Sequence, residues 1–450
     1  MNTSVLSMGI LAFMPLATVA APGVGPAIEP DHVWIIVSPN ALERAVLRHA
    51  GFQVAKDVAK AIAALVMILL LSAAARSQTV PDHKFYTETG QAVIPFDLYK
   101  NQIFVPMQVN GSRPLWFILD TGANTAALDG TIAQELGLKP EGADATQGVG
   151  SNDVQVKFLK NVRFGLPDLE FLDDRIITLD YRPNFAFQGR DTHGIFSYDF
   201  LRRFVVTIDY EKRLLIVADP EAAAQMRGGA KIFPLTFQHG LPYVSAEIEV
   251  PGNPAQKTTF LVDVGSGDTV DWPNLAISKG KLLETVSGVG LGNNEQRGIT
   301  GRGTLRLGGF EFKEIPIHCC GGNELGNHLI GGELLKRFKV TLDYPHQQML
   351  LVANADASKP FAFDCSGLIL RQERDSRFFR IRTVIPGSPA AESGLQPLDL
   401  IERIGGISAA QWTLEKLEGA FSRPSRSFDL WVARPAGQER SVKLRTRTLI

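Results

Sequence analysis

The sequence predicts a mainly β protein: two pseudo-twofold-related β-barrel lobes followed by a separate C-terminal domain of short strands and helices. Three observations predict it. An internal repeat runs through the middle of the chain, the patterning inside each copy is of the strand type, and the repeat stops after Asn354. The first copy contains Phe104-Val105-Pro106, then Trp116-Phe117-Ile118-Leu119-Asp120-Thr121-Gly122, and ends in Arg203-Phe204-Val205-Val206-Thr207-Ile208-Asp209-Tyr210. The second answers in the same order with Leu241-Pro242-Tyr243-Val244, Phe260-Leu261-Val262-Asp263-Val264-Gly265 and Arg337-Phe338-Lys339-Val340-Thr341-Leu342-Asp343-Tyr344. Between these marks Gly148-Val149-Gly150 corresponds to Gly288-Val289-Gly290, and Phe164-Gly165 to Leu307-Gly308.

Taken from the N-terminus, residues 1–79 read as a leader. Lys56 and Lys60 precede an apolar run, Ala61 to Leu71, which is followed by Ser72-Ala73-Ala74-Ala75. That is the charge, core and small-residue order of a secretory signal, placed at 56–77, and it implies export to a periplasmic, cell-envelope or secreted location. The run is shorter than the roughly 20 residues that span a bilayer, so cleavage is expected, and an uncleaved segment would act as a membrane tether. Its position behind another apolar stretch, Val5 to Ala21, suggests a true start near Val54.

Residues 80–220 and 230–354 form the two lobes. Asn110-Gly111 between apolar runs is a hairpin cue, and Val154 to Phe164 is rich in β-formers. Helices are expected to be short, at Thr131 to Leu136, Tyr198 to Arg203 and Glu333 to Arg337, and Pro220 to Gly229 reads as the linker. The 42 Gly and 26 Pro suit a turn-rich β chain. With 46 Lys+Arg against 47 Asp+Glu there is no basic field, so no nucleic-acid partner is expected. The three cysteines are too few for a disulfide framework; a pairing of Cys365 with Cys319 or Cys320 stays open, and no metal or other cofactor is expected.

Each lobe ends an apolar strand in an aspartate with a glycine two residues on: Asp120-Thr121-Gly122 and Asp263-Val264-Gly265. An Asp before Gly most often caps a turn. Two copies at matching points of a duplication argue instead for a pair that meets across the pseudo-twofold axis. Two carboxylates a few ångströms apart cannot both ionise; they share a proton, and a water between them can attack a peptide carbonyl.

On these residues the chain from about Phe96 to Ala353 resembles the retropepsin-like and pepsin-like aspartic peptidases, in their bacterial single-chain form with two fused acid-protease β-barrel lobes. The resemblance implies catalysis by Asp120 and Asp263, with Thr121, Gly122, Gly265 and Ser266 supporting the active loops. It implies apolar elements packed behind those loops at Ile195-Phe196-Ser197 and Leu329-Ile330-Gly331, and substrate-binding flaps at Gly148, Val149 and Gly150 and at Gly288, Val289 and Gly290. There are two departures. Val264 lacks the hydroxyl that the family uses to brace the loops, so Thr121 must brace alone, and Ser197 stands where the family usually has glycine.

Residues 361–448 resemble a bacterial PDZ domain, a β-sandwich-like fold with short helices, through Phe379 to Ile385, Pro386-Gly387-Ser388-Pro389-Ala390-Ala391-Glu392-Ser393-Gly394-Leu395 and Asp399 to Gly406. The resemblance implies that the loop Ser366-Gly367-Leu368-Ile369 holds a peptide C-terminus through backbone N–H groups, with Gly367, Leu368 and Ile369 as the peptide-binding residues, while the adjacent strand accepts the peptide by β-augmentation. The domain reads equally as an architectural clamp. The expected partners are a peptide or protein substrate and protein C-termini. Two other readings stand beside these. Gly265-Ser266-Gly267 with His193 and His239 lacks the setting of a serine peptidase triad, and Val264 keeps alive a catalytically weak or inactive peptide-binding protein.

Overall fold

The computed structural model describes residues 82–146, 154–180, 190–223, 229–289, 295–319, 328–372, 376–435 and 437–450. The expected leader at 1–79, Cys320, Gly148, Val149, Gly150, Gly290 and residues 224–228 of the linker lie outside them. The described residues belong to one compact unit, Val80–Ile450.

The chain is mainly β. In the first half the sheet runs, strand by strand, Leu169–Leu179, Ala127–Asp129, Gly194–Phe196, Leu115–Leu119, Gln102–Val109, Val154–Leu166 and Glu141–Thr146. It closes on itself where Val154–Leu166 also pairs with Leu169–Leu179. The second half repeats this order with Phe310–Cys319, Val270–Asp271, Leu329–Gly331, Gln256–Asp263, Leu241–Glu249, Glu295–Leu307 and Leu283–Val289, and closes where Glu295–Leu307 also pairs with Phe310–Cys319. Closure removes sheet edges, which is how a small barrel-like sheet avoids unpaired backbone. The hairpin cue at Asn110-Gly111 holds: both residues have positive φ, 49° and 76°, joining Gln102–Val109 to Leu115–Leu119.

A third sheet joins the halves. Its order is Lys231–Pro234, Gln348–Ala353, Phe338–Asp343, Val205–Asp209, Leu214–Ala218, Gln91–Pro95, three strands from each half in mirrored sequence. At its centre Val205 faces Asp343, Thr207 faces Thr341 and Asp209 faces Lys339. The Thr207 and Thr341 hydroxyls are 2.8 Å apart in a buried hydrogen bond. The two Thr-x-Asp-Tyr segments that matched in the sequence therefore lie side by side about the local axis. One apolar core, from Ala92 to Leu351, runs through both halves and is dominated by phenylalanine rings such as Phe164, Phe171, Phe200 and Phe204 in the first and Phe312 and Phe338 in the second.

The C-terminal region has its own sheet, ordered Leu368–Arg371, Phe379–Val384, Leu400–Ile404, Ser427–Ala433, Glu439–Arg445, and its own core around Phe379, Ile401, Leu417 and Phe421. A helix at Leu414–Phe421, capped by Thr413, covers that core. It is tied to the rest of the chain by an ion pair from Lys100 Nζ to Glu418 Oε1 at 3.0 Å and by Arg302 Nε donating to Ile450 O at 3.1 Å. Cys365 is a buried free thiol, so its suggested pairing is not formed.

Candidate active site

Asp120 follows the strand Leu115–Leu119, in which Phe117, Ile118 and Leu119 are buried. Asp263 ends Gln256–Asp263 after buried Phe260, Leu261 and Val262. Each strand has a parallel neighbour from later in its own half. Ile195 lies beside Ile118 and Phe196 beside Leu119; Ile330 lies beside Val262 and Gly331 beside Asp263. The apolar elements read from the sequence thus back the two active strands. Gly194 is required for one of them, because a Cβ there would fall 1.9 Å from the Phe117 ring.

The structure brings the two aspartates together, and their carboxyl groups share a hydrogen bond. The approach is reciprocal. A Cβ at Gly122 would stand 2.6 Å from Asp263 Oδ2, and one at Gly265 would stand 2.4 Å from Asp120 Oδ1, so each loop's glycine makes room for the other loop's acid. The loops also orient their own carboxylates: Gly122 N–H donates to Asp120 Oδ1 at 2.8 Å, and Gly265 and Ser266 N–H donate to Asp263 Oδ1 at 2.9 and 3.1 Å.

Burial raises both carboxyls above the ordinary carboxylate range. At Asp263 the charge of Asp120 adds to burial and pushes the group up to about 8, while hydrogen bonds from Gly122, Asp263 and Ala123 favour the ionised form of Asp120. The two carboxyls titrate as a coupled pair and share one proton between their two values.

Thr121 is buried and braces the site. Its hydroxyl donates to Val262 O at 2.5 Å and accepts from Val264 N–H at 2.9 Å, two bonds across the halves. Val264, fully buried, has no hydroxyl to return them. Ser197 is accommodated where Gly331 is obligatory: a Cβ at Gly331 would fall 2.4 Å from Asp268 O.

Residues 105–200 match the family model of aspartyl proteases. The matched aspartyl protease segment contains Asp120, Thr121, Gly122 and Ile195-Phe196-Ser197, and supports a hydrolase of the aspartyl protease kind. It ends before Asp263, whose likeness to the aspartyl protease loop rests on the internal repeat. No curated protein matches the chain.

Of the expected flap residues, Gly288 and Val289 end a strand, facing Gln296 and Glu295, after a bulge at Val286/Gly288. Among the described residues there is no cluster of three or more His, Cys, Asp and Glu side chains able to hold a metal. Of the histidines weighed for a serine triad, His193 accepts from Trp116 N–H at 3.0 Å, a role within the first-half sheet.

Sequence reading missed two groups. Tyr344 is buried, and burial followed by the charges of Asp263 and Asp120 raises its phenol. The turn Lys100–Gln102 of the first half reaches the second active loop: Gln102 Nε2 donates to Gly265 O at 2.5 Å and Asn101 Nδ2 to Gly267 O at 2.8 Å. The glycines at 265, 267 and 332 were the available sign, since each marks a close approach without naming what approaches.

In the C-terminal region Gly367 has φ of 80° and is packed against Ser388. The N–H groups of Ser366 and Gly367 donate to the half-buried carboxylate of Asp364, at 3.1 and 2.6 Å, and Leu368 N–H donates to Ser366 Oγ at 3.0 Å. The donors expected to hold a peptide C-terminus at Gly367 and Leu368 are thus engaged within the loop. Ile369 lies in the edge strand Leu368–Arg371. Leu398 adopts φ of 73°.

Proposed function

We propose that this chain is an aspartic-type endopeptidase in which two fused lobes present Asp120 and Asp263 to one peptide bond. The observation that carries the reading is the reciprocal contact of Gly122 with Asp263 and of Gly265 with Asp120, around two carboxyls that hydrogen-bond to each other. In this reading Asp120, ionised, takes a proton from a water held between the acids as its oxygen attacks the scissile carbonyl carbon. Asp263 gives its proton to the carbonyl oxygen, forming a tetrahedral gem-diol. Asp120 then returns its proton to the amide nitrogen, the C–N bond breaks, and the diol proton goes back to Asp263. Every proton is accounted for within the pair, and no covalent intermediate forms.

The C-terminal region is read as a PDZ domain. With the loop donors taken by Asp364, the edge strand Leu368–Arg371 favours peptide recognition by strand addition over capture of a terminal carboxylate. Residues 56–77 are read as an export signal. A second reading, a weak or inactive peptidase that binds peptides through its cleft, is favoured by Val264.

Cleavage of an unfolded protein across an acid-to-alkaline pH series, with wild type, Asp120→Asn and Asp263→Asn compared, tests the proposal. Loss of at least about a hundredfold in both variants is expected. Activity retained in both would refute the aspartic mechanism, and peptide binding with no turnover in wild type would favour the second reading.

A further inference from the structure

The second active loop is gripped from a direction that the pseudo-twofold relation does not repeat. The two-residue hairpin turn Lys100–Asn101, between the paired Tyr99 and Gln102, has positive φ at both residues, 48° and 64°, as a type I′ turn requires. It is held on three sides. Lys100 O lies 2.5 Å from where a Cβ at Gly267 would be, and Asn101 O lies 2.2 Å from where one at Gly332 would be, so two glycines of the second half admit the turn's backbone. Asn101 Oδ1 accepts from Lys336 Nζ at 2.8 Å, and Lys336 in turn pairs with Glu333 at 2.5 Å. On the outer side Lys100 pairs with Glu418 of the C-terminal helix. So held, the turn places the Gln102 and Asn101 amides on the carbonyls of Gly265 and Gly267, within the loop whose N–H groups orient Asp263. The corresponding turn of the second half, His239–Gly240, has φ of 51° and 83° and meets the Tyr198 ring, about 3.0 Å from where a Cβ at Gly240 would be.

We propose that Gln102, seconded by Asn101, is a positioning residue for Asp263, a cross-lobe tie that stands in for the hydroxyl absent at Val264. This rests on the aspartic peptidase reading. Thr121 holds the backbone on either side of Asp263, at Val262 and Val264. Internal symmetry assigns the missing return bonds to a hydroxyl at 264. The amide of Gln102 supplies a replacement tie at the carbonyl of Gly265, one peptide beyond the residue that lost it.

The test compares wild type, Gln102→Ala, Val264→Thr and the double variant in the full chain, with Asp120→Asn and Asp263→Asn as controls. Two readouts are taken: kcat and KM for an unfolded protein substrate over pH, and the carboxyl 13C titration of Asp263, which needs no turnover. Gln102→Ala is expected to lower kcat roughly tenfold or more with KM nearly unchanged, since small misplacements of reacting groups carry such penalties. It should also move the Asp263 titration. Val264→Thr should restore most of the loss in the double variant, which a general folding defect would not permit. An unchanged kcat and titration in Gln102→Ala overturns the inference, as does a loss that Val264→Thr leaves unrepaired. Dyad controls that remain active overturn the peptidase reading itself. If wild type shows no turnover, the Asp263 titration alone decides the positioning role.

Discussion

In the first half the residue after the aspartate is Thr121, whose hydroxyl spans to the other half; in the second it is Val264, which spans nothing. The residue behind the first loop is Ser197 and behind the second Gly331, where Asp268 O leaves no room for a Cβ. The first half sends Asn101 and Gln102 into its neighbour's active loop, while the second sends His239–Gly240 against an aromatic ring. The strand order of the two sheets is nonetheless the same. A duplicated scaffold can therefore preserve the meeting of two acids while its bracing becomes one-sided, because the strands set where the acids arrive and the loops set how firmly they are held.

Substitutions in matched pairs break or sharpen this comparison. The largest effect is expected at the glycines. Gly122→Ala and Gly265→Ala each press a methyl onto the opposite carboxyl, and both should reduce hydrolysis at least about a hundredfold with far-ultraviolet circular dichroism unchanged. Next, Thr121→Val removes two buried cross-half hydrogen bonds and leaves Val262 O and Val264 N–H without them, a loss of about 2 to 4 kcal/mol in urea denaturation. The mirror change Val264→Thr breaks no hydrogen bond and should cost less than Thr121→Val, and equal effects at 121 and 264 would contradict the asymmetry.

The pair's protonation gives a third comparison. Both carboxyls titrate higher in the folded protein than in an unfolded chain, so the folded state binds more protons between the two values. Their contribution to stability is complete below the ordinary carboxylate pKa of about 4 and is lost as pH rises through the folded values. Asp263→Asn should thus melt a few degrees above wild type at pH 8, with the difference vanishing near pH 3. Hydrolysis should follow a bell-shaped pH profile whose alkaline limb falls near the raised value of Asp263, about 8. The smallest effect is expected at the outer end of the turn, where Glu418→Gln breaks a half-exposed ion pair at about 0.5 kcal/mol.

The β architecture and the carboxyl pair were legible in the sequence because they are written locally and twice. Phe-led apolar strands ending in Asp120 and Asp263, and the Thr-x-Asp-Tyr strands at 207–210 and 341–344, repeat in order, and the structure pairs them. Thr121 as sole hydroxyl brace was also legible, from the contrast with Val264. The role of Gln102 was not: its partner Gly265 is 163 residues away, and nothing near Gln102 announces a cross-half bond. The Asp364 carboxylate lies just before Ser366 and Gly367, and an Asp that bonds N–H groups two and three residues on is a readable turn pattern.

The sheet that joins the halves has Val205–Asp209 and Phe338–Asp343 as its two inner strands, one from each half. Neither half owns a finished sheet, since parting them strips a row of backbone donors and acceptors from both at once. The seam therefore melts together with the strands it unites, and the covalent link between the halves is secondary to it. Two polypeptides divided within 224–228 should recombine into the same assembly.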